Sequence, residues 1–163
     1  MEVVEGRADI DDVGAFVGEL DAIGEAHGVT VQAFDARYVV DRAHLERAVD
    51  LAARARERGE TIADDFGVEI LLYAAGRRQI NRALEMGVGE GECPVVAVVV
   101  GEGDEERAAD DLRERLTAAE TLGDYDDGRV RDFFGVSDDE LAATEGTLAD
   151  AVRERVALLV VEK

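Results

Sequence analysis

The sequence predicts a mixed α/β (α+β) fold, with one small central sheet of about four strands and helices packed around it. Three patterns predict it. Short β-branched runs alternate with segments whose apolar residues recur at helical spacing. The run Pro94-Val95-Val96-Ala97-Val98-Val99-Val100 is continuously apolar, as expected of a strand covered on both faces. No repeat or proline-rich linker divides the chain, so residues 1–163 read as a single domain with one continuous core.

Taken in order, residues 2–5 and 29–34 read as short strands. Between them, Val13, Phe16, Val17, Leu20 and Ile23 mark an amphipathic helix over about 11–26. Asp41 to Arg58 is a second helix with Leu45, Val49 and Ala52 on one face. Val68 to Ala75 carries apolar residues all round, Ile70 and Ala74 opposing Val68, Leu71, Leu72 and Ala75, and so reads as a buried helix. Gly76 interrupts it, and a helix resumes over Arg77 to Met86 with Ile80, Ala83 and Leu84 inward. After the valine strand, Glu105 to Ala119 is helical and acidic, and 123–128 is a loop. Ser137-Asp138-Asp139-Glu140 has the capping-box pattern and starts a helix running to about Arg155, after which Ala157 to Val161 closes as a fourth strand.

Charge is the loudest feature of the composition. Thirty-nine Asp and Glu face seventeen Arg and the single Lys163, for a formal net charge of −21. Disorder does not follow, because 47% of residues are hydrophobic and they fall into periodic segments that can bury a core. Abundant carboxylates with almost no lysine resemble the proteins of salt-in halophiles, so the acidity reads as adaptation to a solvent and not as a functional signal. No apolar run has membrane-spanning length, and Met1-Glu2-Val3-Val4-Glu5 carries acid where a signal peptide would carry base, so a cytoplasmic protein is expected. The lone Cys93 excludes an internal disulfide.

The residue inventory argues against catalysis. Without a lysine before Lys163 there is no P-loop, kinase-type or internal Schiff-base lysine. The only serine, Ser137, is explained by helix capping. His27 and His44 lack partners at metal-ligand spacing, and nothing marks Cys93 as an activated thiolate. Gly87-Val88-Gly89-Glu90-Gly91 follows a helix, whereas a dinucleotide fingerprint must follow a strand. Carboxylate pairs carry no weight in a chain so rich in acid. The expectation is a protein with no catalytic residue, cofactor or metal.

One stretch stands apart. Ile70 to Leu84 reads ILLYAAGRRQINRAL, with three arginines, no acid, the chain's only asparagine and one of its two glutamines. On a helix, Arg78, Asn81 and Arg82 share one face, and Gly76 just before it would let a ligand reach the free amides of a first turn, a natural phosphate site. Arginines on an ordinary solvated face are the alternative, and so is a small enzyme or ligand-binding domain that uses Arg77, Arg78 and Arg82 for an anionic metabolite.

The segment Glu69-Ile70-Leu71-Leu72-Tyr73-Ala74-Ala75-Gly76-Arg77-Arg78-Gln79-Ile80-Asn81-Arg82-Ala83-Leu84, with Met86-Gly87-Val88 and the valine strand after it, resembles the signature of the small kinase-binding accessory subunit of the KEOPS complex. Arg131-Asp132-Phe133-Phe134 with Ser137, then Glu145-Gly146-Thr147-Leu148-Ala149-Asp150-Ala151-Val152, is similar to that family's C-terminal block. Ala75 departs from the serine common in archaeal relatives. The resemblance implies a non-catalytic subunit of the complex that installs threonylcarbamoyl on tRNA, docked on its atypical kinase/ATPase subunit and engaging the tRNA 3′ CCA end. Mapped onto this chain, Gly76, Arg77, Arg78, Gln79, Asn81 and Arg82 are the expected tRNA surface. Thr144, Thr147 and Ala151 are the expected kinase surface, lying beside an apolar stripe of Leu141, Leu148, Val152 and Val156.

Unscreened carboxylate repulsion predicts a fold that needs salt, because the Debye length falls to about 3 Å only at molar ionic strength. The melting temperature followed by circular dichroism should climb across a potassium chloride series; one that stays constant from dilute buffer to molar salt contradicts the reading.

Overall fold

A computed structural model describes residues 1–162. Among them, three strands form one antiparallel sheet, β1 (Glu2–Ile10), β2 (Thr30–Asp35) and β3 (Gly91–Val100), in the order β1-β3-β2. The helices are α1 (Val13–His27), α2 (Arg42–Arg58), α3 (Phe66–Ala75), α4 (Ile80–Ala83), α5 (Glu105–Glu114), α6 (Asp127–Phe134), α7 (Asp138–Ala143) and α8 (Leu148–Glu162). The mixed α/β class stands, with three strands where about four were expected. No helix is long and apolar enough to cross a membrane.

The valine run is central because both of its faces are covered. Val96 and Val98 join one apolar cluster with α2, α3, α6 and α8, while Val95, Ala97 and Val99 join another with α1 and α5. Successive side chains on a strand point to opposite faces, so an uninterrupted apolar run is what a sheet buried on both sides requires. β1 runs five residues beyond the expected 2–5, to Ile10, pairing with Gly91 to Val95. Gly6 permits this, because a Cβ there would stand 2.8 Å from the carbonyl oxygen of Thr117, whose backbone bridges to Arg7.

Two readings of the C-terminal third are corrected. Ala157 to Val161 is helical: Leu148, Val152, Val156 and Leu159 continue one buried stripe at helical spacing, and that register overrides the β propensity of the final apolar run. The single helix expected from Ser137 to Arg155 is two. Ser137 caps α7 by accepting from the Glu140 amide, and Thr144 ends that helix with extended backbone. Thr147 and Asp150 then open α8 with reciprocal side-chain to backbone bonds, a second capping box in the sequence. The acidic helix expected from Glu105 to Ala119 also stops early, at Glu114, before the bridge at Thr117.

Two buried polar side chains fix the α2–α3 layer. Glu69, fully buried, accepts from the amides of Ile62 and Ala63 at 2.8 to 3.1 Å and so shapes the loop between the helices. His44, also fully buried, accepts from the Val40 amide at its Nδ1 and donates from Nε2 to the Ala74 carbonyl at 2.8 Å. That pairing requires a neutral ring, and burial lowers its pKa from 6.5 to about 4.

The folded state therefore refuses a proton that the unfolded chain accepts below pH 6.5. Relative to a His44→Gln variant, the wild type should lose on the order of 3 kcal/mol as pH falls from about 6.5 to about 4. Urea unfolding at fixed salt across that range checks this, and parallel pH profiles for the two proteins contradict it.

Candidate functional site

The expected tRNA segment is built on the end of α3. Gly76 takes a left-handed conformation, φ 62°, and closes the helix as its C-cap. Its amide donates to Tyr73 O at 3.1 Å and that of Arg77 to Leu72 O at 3.0 Å, so neither is a free first-turn donor. The open glycine of the sequence reading is corrected. A Cβ at Gly76 would stand 3.1 Å from the carbonyl oxygen of Arg155, so the missing side chain admits the backbone of α8, not a ligand.

Nor does a long helix follow. Residues 77–79 are irregular, Gln79 is extended and supplies no cap, and α4 is a single turn continued by a 3₁₀ turn over Leu84–Met86. Ala83 and Met86 face inward, but Ile80 is 47% and Leu84 57% exposed, contrary to the expected inward face. Arg78 and Gln79 precede α4, so the shared helical face with Asn81 and Arg82 does not form. All four are nevertheless exposed. Arg82 lies 3.9 Å from Glu85.

Arg77 differs from its neighbours. Its guanidinium turns inward, Nη2 donating to the Phe133 carbonyl and Cζ lying 5.1 Å from the Phe133 ring centroid. Its Nε is buried without a hydrogen-bond partner, a desolvation cost of about 1–3 kcal/mol. Arg77 thus joins the segment to α6.

The expected kinase surface is divided. Thr144 and Thr147 are exposed in the turn between α7 and α8. Ala151 is not part of an exposed face: its side chain belongs to the core cluster with Val152 and Leu148. Thr147, Ala151, Glu154 and Leu158 succeed one another at three- and four-residue intervals, and Leu158 is 42% exposed. Leu158 supplies the apolar area that the threonines lack. Arg155 braces this region, donating to Phe134 O at 3.0 Å, to Gly135 O at 3.1 Å and to both Glu140 oxygens at 2.7 Å. That pairing holds the Glu140 carboxyl below its ordinary pKa.

Sequence reasoning missed a second group of arginines. α2 carries Arg42, Arg47, Arg54, Arg56 and Arg58 against Glu46, Asp50 and Glu57, a local reversal of sign in a chain of charge −21. That count is legible in the sequence, but the arginines are interspersed with acids and so form no acid-free run. A cavity of about 670 Å³ lies instead beside β2 and is ringed by Asp21, Glu25, Asp65 and Glu102. Burial first, then Asp65 and Glu25, raise the pKa of Asp21 there. Its charge is wrong for RNA. No group of three His, Cys, Asp or Glu side chains among the described residues could hold a metal ion.

Comparison with known proteins gives one family model, described as kinase binding protein CGI-121, matching residues 19–159. No curated protein matches the chain.

Replacing Gly76 with alanine should cost about 1–3 kcal/mol, through left-handed backbone strain and the crowded Arg155 carbonyl. Gly89→Ala, with nothing within 4 Å, is the neutral control. Equal stability of the two variants in thermal unfolding contradicts the assigned contact.

Proposed function

Because the chain belongs to the CGI-121 family of kinase binding proteins, we propose that it is the accessory subunit of the KEOPS tRNA-modification complex, a cytoplasmic, non-catalytic protein. In this reading it binds the complex's atypical kinase/ATPase subunit and recruits tRNA by its 3′ CCA end. The observation that carries the RNA part is the exposed row of Arg78, Gln79, Asn81 and Arg82 interleaved with exposed Ile80 and Leu84. Phosphate contacts alone serve badly at high salt, since six to ten of them lose roughly 10³ to 10⁵ in affinity between low and moderate salt. Unpaired bases offer faces that stack on arginine planes and pack on Ile80 and Leu84, and edges that Gln79 and Asn81 can read. A small anionic metabolite would want a pocket. Here the arginines do not converge on one: Arg78 borders a depression of about 520 Å³ whose described lining includes neither Arg77 nor Arg82, and Arg77 is withdrawn toward Phe133. Gly76 and Arg77 therefore act as positioning residues for the four exposed polar side chains.

The kinase contact is assigned to the exposed side of α8, with Thr144 and Thr147 at its start and Leu158 as the apolar anchor. An arginine at Ala151 would test core packing and not docking, because that side chain is buried.

Arg78→Glu should weaken tRNA binding at least tenfold, worth about 1.4 kcal/mol, and Asn81→Ala by less, both with kinase affinity intact. Removing CCA from the tRNA should weaken wild-type binding similarly and add little to the Arg78 variant. Thr147→Arg and Leu158→Arg should do the reverse, lowering kinase affinity by calorimetry and sparing tRNA. Equal wild-type affinity for intact and CCA-less tRNA in molar potassium chloride would reject the RNA assignment; undiminished kinase binding by Leu158→Arg would reject the docking side.

A further inference from the structure

Each outer strand of the sheet has one edge that no other strand covers. On β1 that edge is closed at Arg7, which exchanges two backbone bonds of 2.8 Å with Thr117. Arg7 therefore faces away from β3. Antiparallel pairs alternate between bonded and non-bonded, so Val95, Ala97 and Val99 bond to β1 while Val96, Val98 and Val100 bond to β2. On β2 the bonded residues are then Thr30, Gln32 and Phe34, and the main chain of Val31 and Ala33 points outward. The Ala33 carbonyl accepts from the Gln32 side-chain amide at 3.0 Å. No hydrogen bond among the described residues occupies the N–H and C=O of Val31 or the N–H of Ala33.

This free edge is recessed. The side chains of Val31 and Ala33 pack with α1 and α5, and the two residues are only 6% and 5% exposed. α1 stands on one side with Asp21 and Glu25, and the start of α3 on the other with Asp65 and Phe66. Between them lies the cleft of about 670 Å³, with Val31 and Gln32 in its lining and Glu102 beyond the Val100 that pairs with Thr30. The one base among the described lining residues, Arg56, is stacked 3.8 Å from the centre of the Phe66 ring. Acid is common on this chain, so four carboxylates alone mean little. Their place around unpaired main chain gives them meaning, because recessed backbone donors and acceptors are almost always bonded, and the cleft is the side from which a partner reaches these.

A strand from a second copy would bring the same four carboxylates against them, and RNA would bring phosphates. The cleft matches instead an extended peptide with basic side chains at alternate positions. Its main chain completes the ladder, its basic side chains lie along Asp21 and Glu25, and the residues between them lie toward Phe66. We propose that the β2 edge is a strand-addition site for an extended basic segment of a protein partner. It uses none of the residues assigned above to RNA or kinase, so it stands or falls apart from those readings.

The test uses the full-length protein in molar potassium chloride and two short dye-labelled peptides, one alternating lysine and valine, the other glutamate and valine. By fluorescence anisotropy the lysine peptide should bind, and the glutamate peptide at least tenfold more weakly. The exposed pair Asp21→Lys/Glu25→Lys should weaken lysine-peptide binding at least tenfold, and Ala33→Pro, which removes an outward N–H, should also weaken it. Glu106→Lys/Glu114→Lys, exposed on α5, makes the same change of charge elsewhere and should leave binding within twofold. Circular dichroism confirms that each variant folds. Amide hydrogen exchange by NMR reads the ladder itself: in the free wild type, the Val31 and Ala33 amides should exchange at least tenfold faster than those of Gln32 and Phe34, and the lysine peptide should slow them at least tenfold. Slow exchange at Val31 and Ala33 in the free monomer would mean that the edge is already closed. Absence of lysine-peptide binding, binding that leaves these two amides fast, equal binding of the glutamate peptide, or protection that appears on self-association alone would each overturn the inference.

Discussion

The backbone of α8 lying against Gly76 is the contact on which the functional part of the molecule depends. A side chain at position 76 would meet the Arg155 carbonyl, and the left-handed turn there is what ends α3 and directs the following residues outward. The side chain of the same Arg155 also secures this helix, gathering the carbonyls of Phe134 and Gly135 and the Glu140 carboxylate. Arg77, reaching from the segment to the Phe133 carbonyl, closes the loop of contacts among α3, α6 and α8. Four exposed polar residues are held at the edge of this brace, so their positions are set by packing and not by a helix of their own.

Under the proposed function, that arrangement separates two jobs on one scaffold. The side of α8 that carries Leu158 has apolar area left exposed among the described residues, whereas Val160 lines an arginine-bearing groove between α2 and α8. Both use little net charge. If the acidic composition is an adaptation to strong screening, as the sequence suggests, surfaces that recognise partners must lean on packing, stacking and short-range hydrogen bonds, since Coulomb attraction beyond a few ångströms is lost. Ile80, Leu84, Leu158 and Val160 are the exposed apolar residues of the two regions, and their presence amid so much carboxylate is consistent with that demand.

How much of this was legible in the sequence depended on whether a pattern was local. The valine strand, the early helices and the Ser137 cap follow from spacing and capping chemistry that act within a few residues. The failures all involve competition between distant parts. Ala157 to Val161 has the composition of a strand, but the stripe begun at Leu148 had already fixed a helical register. Residues 77–86 read as a helix because nothing local shows that Gly76 meets Arg155 or that Arg77 is drawn to Phe133, residues far apart in the chain. Ala151 looked available for docking for the same reason; only the packed helix reveals that it points into the core. The acid-free stretch was visible, and the arginines of α2 were equally visible. What could not be read was that the groove between α2 and α8 joins them.

The central claim is that RNA and kinase occupy different sides of this chain at once. Sedimentation velocity in molar potassium chloride, with the protein, its kinase partner and tRNA mixed at equal concentrations, measures it directly. The account predicts a single species containing all three, with the affinity of each partner little changed by the other. Displacement of tRNA as kinase is added, or of kinase as tRNA is added, would contradict it.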